Sequence, residues 1–166
     1  MSRFLHQRHK PASTLDQPRE LVLAFPALRS RVNLSRIVRL ASCAGIERIV
    51  TCGSSRLDEK ISRGGEVQLE IKTHRSLLPA LKKFKQQDYC LVGLEQASES
   101  VSLYDFAFPR RSVLVVGHER AGLEEELLEL MDEVVEIPVY GLPMSYNVAT
   151  ATAMAVYEYC RQFPNG

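Results

Sequence analysis

The sequence predicts a single α/β domain built on a doubly wound parallel sheet, and three observations lead to that prediction. Apolar runs typical of buried strands alternate along the chain with amphipathic segments typical of helices. Two of the runs, at residues 90–94 and 113–116, are continuously apolar, as strands covered on both faces should be. The chain has 166 residues and is 45% hydrophobic, which suffices for one domain with a real core.

Each element is predicted from its own stretch of sequence. Strands are expected at residues 21–25, where Pro26 ends the run, and at 49–52, 90–94, 113–116 and 134–137. Apolar stripes at helical spacing predict helices at residues 33–44, 75–87, 123–131 and 145–162. Residues 55–72 are left without an assigned element. A Gly64-Gly65 break there precedes Val67, Leu69 and Ile71, which alternate with polar residues.

Residues 1–19 are predicted to form a flexible basic arm, followed by a domain at residues 20–166. The arm is polar, carries Arg3, Arg8 and Lys10, and lacks the apolar stretch of a signal peptide. No apolar run in the chain approaches membrane-spanning length. We therefore expect a cytoplasmic protein with no membrane partner.

The four cysteines are predicted to be reduced thiols. They are far apart in the sequence and form no Cys-x-x-Cys pair, so neither a zinc site nor a disulfide framework is indicated. Their positions are Cys43, Cys52, Cys90 and Cys160. We expect them to pack as small, mostly buried side chains.

The net charge of +1 hides a strong asymmetry between the two halves of the chain. Residues 1–85 hold 17 Lys and Arg against 7 Asp and Glu, whereas residues 86–166 hold 4 against 13. This imbalance predicts a basic surface on the N-terminal half that suits a polyanion such as nucleic acid. A self-complementary dimer would also use it.

The last third of the chain carries two short polar blocks that predict a ligand site. The first is an apolar strand run that ends in a glycine-rich turn at residues 117–122 with one carboxylate, Glu119. The second is a Ser145/Asn147 pair at the start of an Ala-rich helix. Open α/β sheets place their sites at such strand ends and helix N-termini. Neither block matches the dinucleotide fingerprint or the phosphate loop.

Three motifs in order resemble those of the SpoU class of RNA 2′-O-ribose methyltransferases, within the SPOUT superfamily. The first motif spans residues 33–39 and is followed by Ala44-Gly45, the second spans 117–123, and the third runs from 137 to 148. Together they cover about residues 20–162, nearly the whole chain. The chain departs from the family pattern at His118, where Asn is usual, at Tyr146, where Leu is usual, and at Leu34 and Ser35, where a glycine often stands.

The resemblance implies a Rossmann-like parallel sheet with a deep trefoil knot at the C-terminal end, the SPOUT fold. It also implies a homodimer whose active sites often borrow from both subunits, and S-adenosyl-L-methionine as methyl donor, with no metal. The product would be S-adenosyl-L-homocysteine. The residues expected to bind the donor are Leu94, Glu95, Val116, Gly117, Glu119, Gly122, Ile137, Leu142, Met144, Ser145 and Asn147.

The resemblance also implies the catalytic residues, which are Arg39, Asn33, Glu119, Ser145 and Asn147. A guanidinium keeps its proton in proteins, so the expected role of Arg39 is to orient the ribose hydroxyl and stabilise the developing alkoxide. Glu119 is expected to anchor this arginine by a charge-assisted pair. Asn33 is also expected to cap the first helix, and Ser145 and Asn147 the last one.

The expected substrate is RNA, and residues 94–98 look most like the branch of the family that methylates a D-loop guanosine in tRNA. Ribosomal RNA remains an alternative, as do a catalytically silent RNA-binding module of the same fold and an unrelated flavodoxin-like domain. The N-terminal arm and four basic residues are expected to grip the RNA backbone. These four are Arg29, Arg31, Arg36 and Arg63.

Overall fold

The computed structural model describes residues 3–7, 10–53 and 56–166, and within them one seven-stranded sheet forms the centre of the fold. The strand order is β3-β2-β1-β6-β4-β7-β5, and every neighbouring pair is parallel. The strands are β1 (Leu21–Phe25), β2 (Arg48–Cys52), β3 (Glu70–His74), β4 (Cys90–Leu94), β5 (Val101–Ser102), β6 (Ser112–Val116) and β7 (Glu133–Glu136).

Helices cover both faces of the sheet. They are α1 (Arg31–Ala44), α2 (Glu59–Ser62), α3 (Leu77–Gln86), α4 (Glu125–Leu128) and α5 (Val148–Gln162), with a 3₁₀ turn at Gly65–Gln68. Alternate residues of β1 point to opposite faces, because successive side chains of a strand do so. Leu21, Leu23 and Phe25 pack in the core with α1 and α5, whereas Val22 and Ala24 pack in the core with α3. The predicted doubly wound parallel sheet is confirmed.

Several element boundaries differ from the predictions. Helix α1 begins at Arg31 because the Ser30 hydroxyl accepts a hydrogen bond from the Asn33 amide. The predicted helix at 123–131 is reduced to one turn at Glu125–Leu128. Residues 55–72, which the sequence left unassigned, include the start of the edge strand β3, and Val67, which precedes this strand, is exposed.

The described residues before β1 form no helix or strand, but Asp16 and Arg19 among them are hydrogen-bonded to the rest of the fold. The Arg19 side chain is buried and donates to the carbonyls of Ala44 at 2.6 Å and Phe163 at 2.5 Å. The Asp16 amide donates to the Asn165 carbonyl at 2.9 Å. The flexibility of residues 1–19 and the domain boundary stay predictions, and Arg8 lies outside the described residues.

Two further expectations concern membrane-spanning helices and the trefoil knot. Within the described parts of the chain, no helix combines the length and the apolar character that crossing a bilayer requires. The C-terminal trefoil knot implied by the resemblance stays a prediction.

We expect Tyr159→Phe to lower the free energy of unfolding by about 1 to 2 kcal/mol. The Tyr159 hydroxyl donates to the Arg110 carbonyl at 2.6 Å inside the core, where burial raises the pKa of the phenol to about 12. Removal of the hydroxyl leaves that carbonyl without its donor. Tyr157→Phe on the exposed side of α5 is the matched control and should stay within about 0.5 kcal/mol of wild type. Urea unfolding measures both, and equal losses in the two variants would contradict this assignment.

Candidate active site

Three loops meet at the carboxyl ends of β4, β6 and β7 and enclose a pocket of about 430 Å³. This edge is where parallel sheets of this type hold their ligands. The pocket is lined by Leu94, Glu95, Gln96, Val116, Gly117, His118, Glu119, Arg120, Ala121, Gly122, Leu123, Leu128, Glu136, Ile137, Ser145, Tyr146, Val148 and Ala151.

The glycine loop, residues 117–123, forms one wall of the pocket and is closed by its own backbone. The His118 amide donates to the Gly122 carbonyl at 2.9 Å, and the Gly122 amide donates back to the His118 carbonyl at 3.0 Å. A Cβ atom on Gly117 would lie 2.7 Å from the Leu123 nitrogen, which is closer than real Cβ contacts come. Gly122 has a φ of +68°, which side chains rarely adopt. The loop therefore requires glycine at both positions.

Glu95 fastens the loop after β4 to the glycine loop. Its two carboxylate oxygens accept from the amides of Gln96 at 3.0 Å and Leu123 at 2.9 Å. A Cβ atom on Gly122 would collide with this carboxylate. Two walls of the pocket thus hold each other in place through one side chain.

Glu119 fastens the glycine loop to the start of α1. Its Oε2 accepts from the Arg29 amide and its Oε1 from the Ser30 amide, both at 3.0 Å. The Asn33 side-chain amide donates to the same Oε1 at 3.3 Å. Burial disfavours ionisation of this carboxyl, but these hydrogen bonds together outweigh burial and lower its pKa.

Asn33 links Glu119 to the third motif by hydrogen bonds. Its side chain is buried, and its Oδ1 accepts from the Asn147 side-chain amide at 3.2 Å. The Asn147 Oδ1 in turn accepts from the Ala149 and Thr150 amides at 3.0 and 3.4 Å and caps α5. The chain Glu119–Asn33–Asn147 therefore joins one residue from each of the three motifs.

Three expected roles are corrected or refined by this geometry. Asn33 does not cap α1, because Ser30 takes that position, so the helix begins two residues before its predicted start. Within one chain Glu119 forms no ion pair with Arg39, and its carboxylate instead accepts from backbone amides and Asn33. Asn147 caps α5 as predicted, whereas Ser145 lies outside the helix as part of the pocket wall.

The pocket gathers most of the residues expected to bind the donor, but not all of them. Leu94, Glu95, Val116, Gly117, Glu119, Gly122, Ile137 and Ser145 line it. Leu142 and Met144 are exposed and lie outside it. Asn147, which hydrogen-bonds to Asn33 behind the pocket, does not line it either. Arg39 lies on an exposed side of α1 and does not line the pocket of its own chain.

Some lining residues escaped sequence reasoning. Gln96 and Glu136 stand at the ends of β4 and β7, so their place at the ends of two apolar strands was a usable signal. Leu128 and Ala151 reach the pocket from helices α4 and α5. No local pattern distinguishes them from ordinary core residues.

A basic surface lies on α1 and α2. Arg36, Arg39 and Lys60 line a shallow cleft together with Leu40, Cys43 and Ile61. The residues expected to bind RNA, Arg29, Arg31, Arg36 and Arg63, are all exposed. Among the described residues, none of these cations forms an ion pair with a carboxylate. Across residues 3–7, 10–53 and 56–166, no three or more His, Cys, Asp or Glu side chains come together in a group that could hold a metal ion.

These features belong to a known family of enzymes. A family model described as the SpoU rRNA Methylase family matches residues 20–157, which is most of the chain. The chain belongs to this family. The expected fold class, a single parallel sheet of the SpoU type, is thereby supported from sequence and structure together.

Individual relatives extend this result. The tRNA (guanosine(18)-2′-O)-methyltransferase TARBP1 of Mus musculus is 30% identical over 86% of this chain and 9% of that protein. The tRNA (guanosine(18)-2′-O)-methyltransferase of Aquifex aeolicus is 28% identical over 87% of this chain and 70% of that one. The SpoU methyltransferase AviRb from Streptomyces viridochromogenes, in complex with AdoMet, superposes with a TM-score of 0.79 at 26% identity, over 94% of this chain and 67% of that one. The chain therefore spans only part of the length of these proteins.

We expect Gly117→Ala to lower the free energy of unfolding by about 1 to 3 kcal/mol, because the added methyl group meets backbone that cannot give way. Gly141→Ala is the matched control, since a Cβ there meets nothing within 4 Å. Urea unfolding of both variants checks this. Wild-type stability in Gly117→Ala would show that the glycine loop tolerates a side chain.

We also expect the stability of the protein to depend on pH through Glu119. Its pKa is lower in the folded protein than in the unfolded chain, so its stabilisation is complete above about pH 5 and is lost as the pH falls through the folded-state pKa. Wild type should therefore lose more free energy of unfolding than Glu119→Gln between pH 7 and pH 3.5. The pKa values of Glu70 and Glu158 are also lowered, but both residues are present in wild type and in the variant, so their contributions cancel in the comparison. Parallel pH profiles from urea unfolding would refute this role.

Proposed function

We propose that this chain is an S-adenosylmethionine-dependent RNA 2′-O-ribose methyltransferase that acts on tRNA, at a D-loop guanosine. The observation that carries the proposal is the hydrogen-bonded chain Glu119–Asn33–Asn147, which binds all three family motifs together behind one pocket. These contacts hold the pocket wall and the start of α5 in one arrangement, and such fixed geometry is what orientation of two reactants requires. The tRNA substrate is supported by the activities for which the mouse and Aquifex aeolicus relatives are named.

The pocket suits S-adenosylmethionine in size and chemistry. Its volume of about 430 Å³ falls in the range of small-molecule sites. Apolar side chains such as Val116, Ile137 and Val148 offer contacts to the adenine ring, and the carboxylates of Glu95 and Glu136 offer negative charge to the cationic part of the donor. When bound, the donor supplies a methyl group that is already electrophilic, so the reaction we propose needs no metal.

The residues of the chain then have to position a ribose hydroxyl and stabilise the alkoxide that develops from it. Ser145 on the pocket wall can hydrogen-bond this hydroxyl, while the buried Asn33 contacts hold Glu119 and the start of α5 still. Arg39 offers a fixed positive charge to the developing alkoxide and the neighbouring phosphate. Proximity and orientation supply much of the rate in such a reaction.

The position of Arg39 supports a homodimer. It lies outside the pocket of its own chain, so a complete active site needs Arg39 of one protomer beside the pocket of the other. The exposed side chains of Tyr140, Leu142 and Met144 give the loop after β7 an apolar surface that suits such contacts.

The RNA is proposed to bind across the surface that carries the unpaired cations. Arg29, Arg31 and Arg36 lie on or next to α1, and Arg63 ends α2. Within the described residues these cations form no ion pair with a carboxylate, so their charge is available to phosphates. We also propose a cytoplasmic location, which accords with the four free cysteines of the structure.

A methyl-transfer assay with Arg39→Ala tests the proposal. Labelled S-adenosylmethionine is incubated with separate tRNA and rRNA pools that lack native methylation. We expect label in the ribose of tRNA, and a loss of at least roughly a hundredfold in Arg39→Ala, since removal of a group that stabilises an oxyanion has this effect. Arg161→Ala, at the end of α5 and away from the pocket, is the matched control and should stay near wild type.

The other outcomes separate the alternatives. Label only in rRNA would replace the tRNA assignment with the activity from which the family takes its name. Donor binding without transfer to either pool would favour a silent RNA-binding module. Failure to bind the donor would overturn the proposal as a whole.

A further inference from the structure

The shallow cleft between α1 and α2 lies apart from the pocket and carries three cations. Arg36 and Arg39 line it from the same side of α1, because residues three apart are neighbours on a helix surface, and Lys60 lines it from α2. All three side chains are exposed, and within the described residues none forms an ion pair with a carboxylate. The described lining of the cleft contains no Asp or Glu. The cleft therefore presents uncompensated positive charge, which suits a polyanion.

The buried hydroxyl of Ser35 fixes the start of α2 against α1. It donates to the Arg31 carbonyl at 2.7 Å and accepts from the Asp58 amide at 2.8 Å. The Asp58 carboxylate in turn accepts from the Lys60 amide at 3.1 Å and caps α2. Ser35 is fully buried, so its hydrogen bonds form in a low dielectric, where they are stronger than in water. Two successive hydrogen bonds thus connect α1 to the backbone of Lys60.

The 3₁₀ turn that follows α2 attaches the other end of the same segment. Its buried Gly65 lies directly against α1, where a Cβ atom on the glycine would come within 3.3 Å of both the Arg39 Cα and the Ser42 Cβ. Lys60 lies between this contact and the one made by Ser35. The backbone that carries the lysine is therefore fixed in advance, and binding of a ligand in the cleft does not have to order it.

We propose that Lys60 is an RNA-binding residue that contacts, together with Arg36, the backbone phosphates next to the ribose at which Arg39 acts. Ser35 is its positioning residue. The inference rests on the proposed function, because it takes Arg39 to act at the target ribose. A ribose 2′-hydroxyl is adjacent to the 3′-phosphate of its own nucleotide, so cations beside Arg39 face that phosphate and the neighbouring one. Lysine binds phosphate as a point charge and requires no particular direction of approach.

The test measures the affinity for unmethylated tRNA (the rRNA pool, if label appears there) from about 50 to about 200 mM salt. Lys60→Gln should bind roughly threefold to tenfold more weakly, and its plot of log affinity against log salt should be shallower by about 0.7 to 1, the slope of one lost phosphate contact. Lys60→Arg keeps the charge and should retain the wild-type slope. Lys82→Gln is the matched control, because this exposed lysine lies on α3, on the other face of the sheet.

Ser35→Ala separates positioning of the lysine from a general loss of stability. Ser35 acts through Lys60 in this proposal, so the two substitutions should not be additive. Ser35→Ala should weaken RNA binding by roughly twofold to fivefold when Lys60 is present, and by less than about twofold in the Lys60→Gln background. A structural effect of Ser35 that does not involve Lys60 would give equal losses in both backgrounds and would overturn the positioning role.

Methyl transfer by the same variants distinguishes binding from chemistry. Lys60→Gln should raise KM for RNA and leave kcat within about threefold of wild type, because its contact is present before and during the reaction. Affinity for S-adenosylhomocysteine should be unchanged, since Lys60 does not line the pocket.

The contrary results are equally specific. Wild-type RNA affinity and salt slope in Lys60→Gln, or the same loss in Lys82→Gln, would overturn the assignment of Lys60 while methyl transfer by wild type left the proposed function intact. A wild-type protein that binds no RNA would overturn the proposed function and this inference with it.

Discussion

The buried side chain of Asn33 makes two hydrogen bonds on which the geometry of the site depends. It donates to Glu119, which holds the glycine loop, and accepts from Asn147, which caps α5. Because an amide has both a donor and an acceptor end, one residue can serve both partners at once. An unpaired polar group at this depth would cost about 1 to 3 kcal/mol, so the three motifs are held in one relative arrangement.

The sheet explains why these residues can meet although they are far apart in sequence. All neighbouring strand pairs are parallel, so the loops after β4, β6 and β7 emerge at the same edge. Helices on both faces bury the strands and leave this edge open. The pocket is therefore built from backbone and loop side chains on a rigid base, and its walls are joined by Glu95 and Glu119.

Prediction from sequence succeeded where the signal is local and strong. The runs at 21–25 and 90–94 coincide with β1 and β4, because a strand buried on both faces must be apolar at nearly every position. Prediction was wrong about the start of α1, which begins at Arg31 because Ser30 caps it. It was also wrong about residues 123–131, where only a single helical turn forms. It also missed the partner of Glu119, since competing backbone donors cannot be seen in a sequence.

The sequence by itself determined the class of fold, the family motifs and eight of the eighteen residues that line the pocket, because periodicity and motif order are properties of the chain. Only the tertiary structure decided that Asn33 links Glu119 to Asn147, that Arg39 lies outside the pocket of its own chain, and that His118 accepts from the turn it precedes. The physical reason is that hydrogen bonds depend on direction and distance to within a few tenths of an ångström. Such precision arises only when segments distant in sequence have packed against one another.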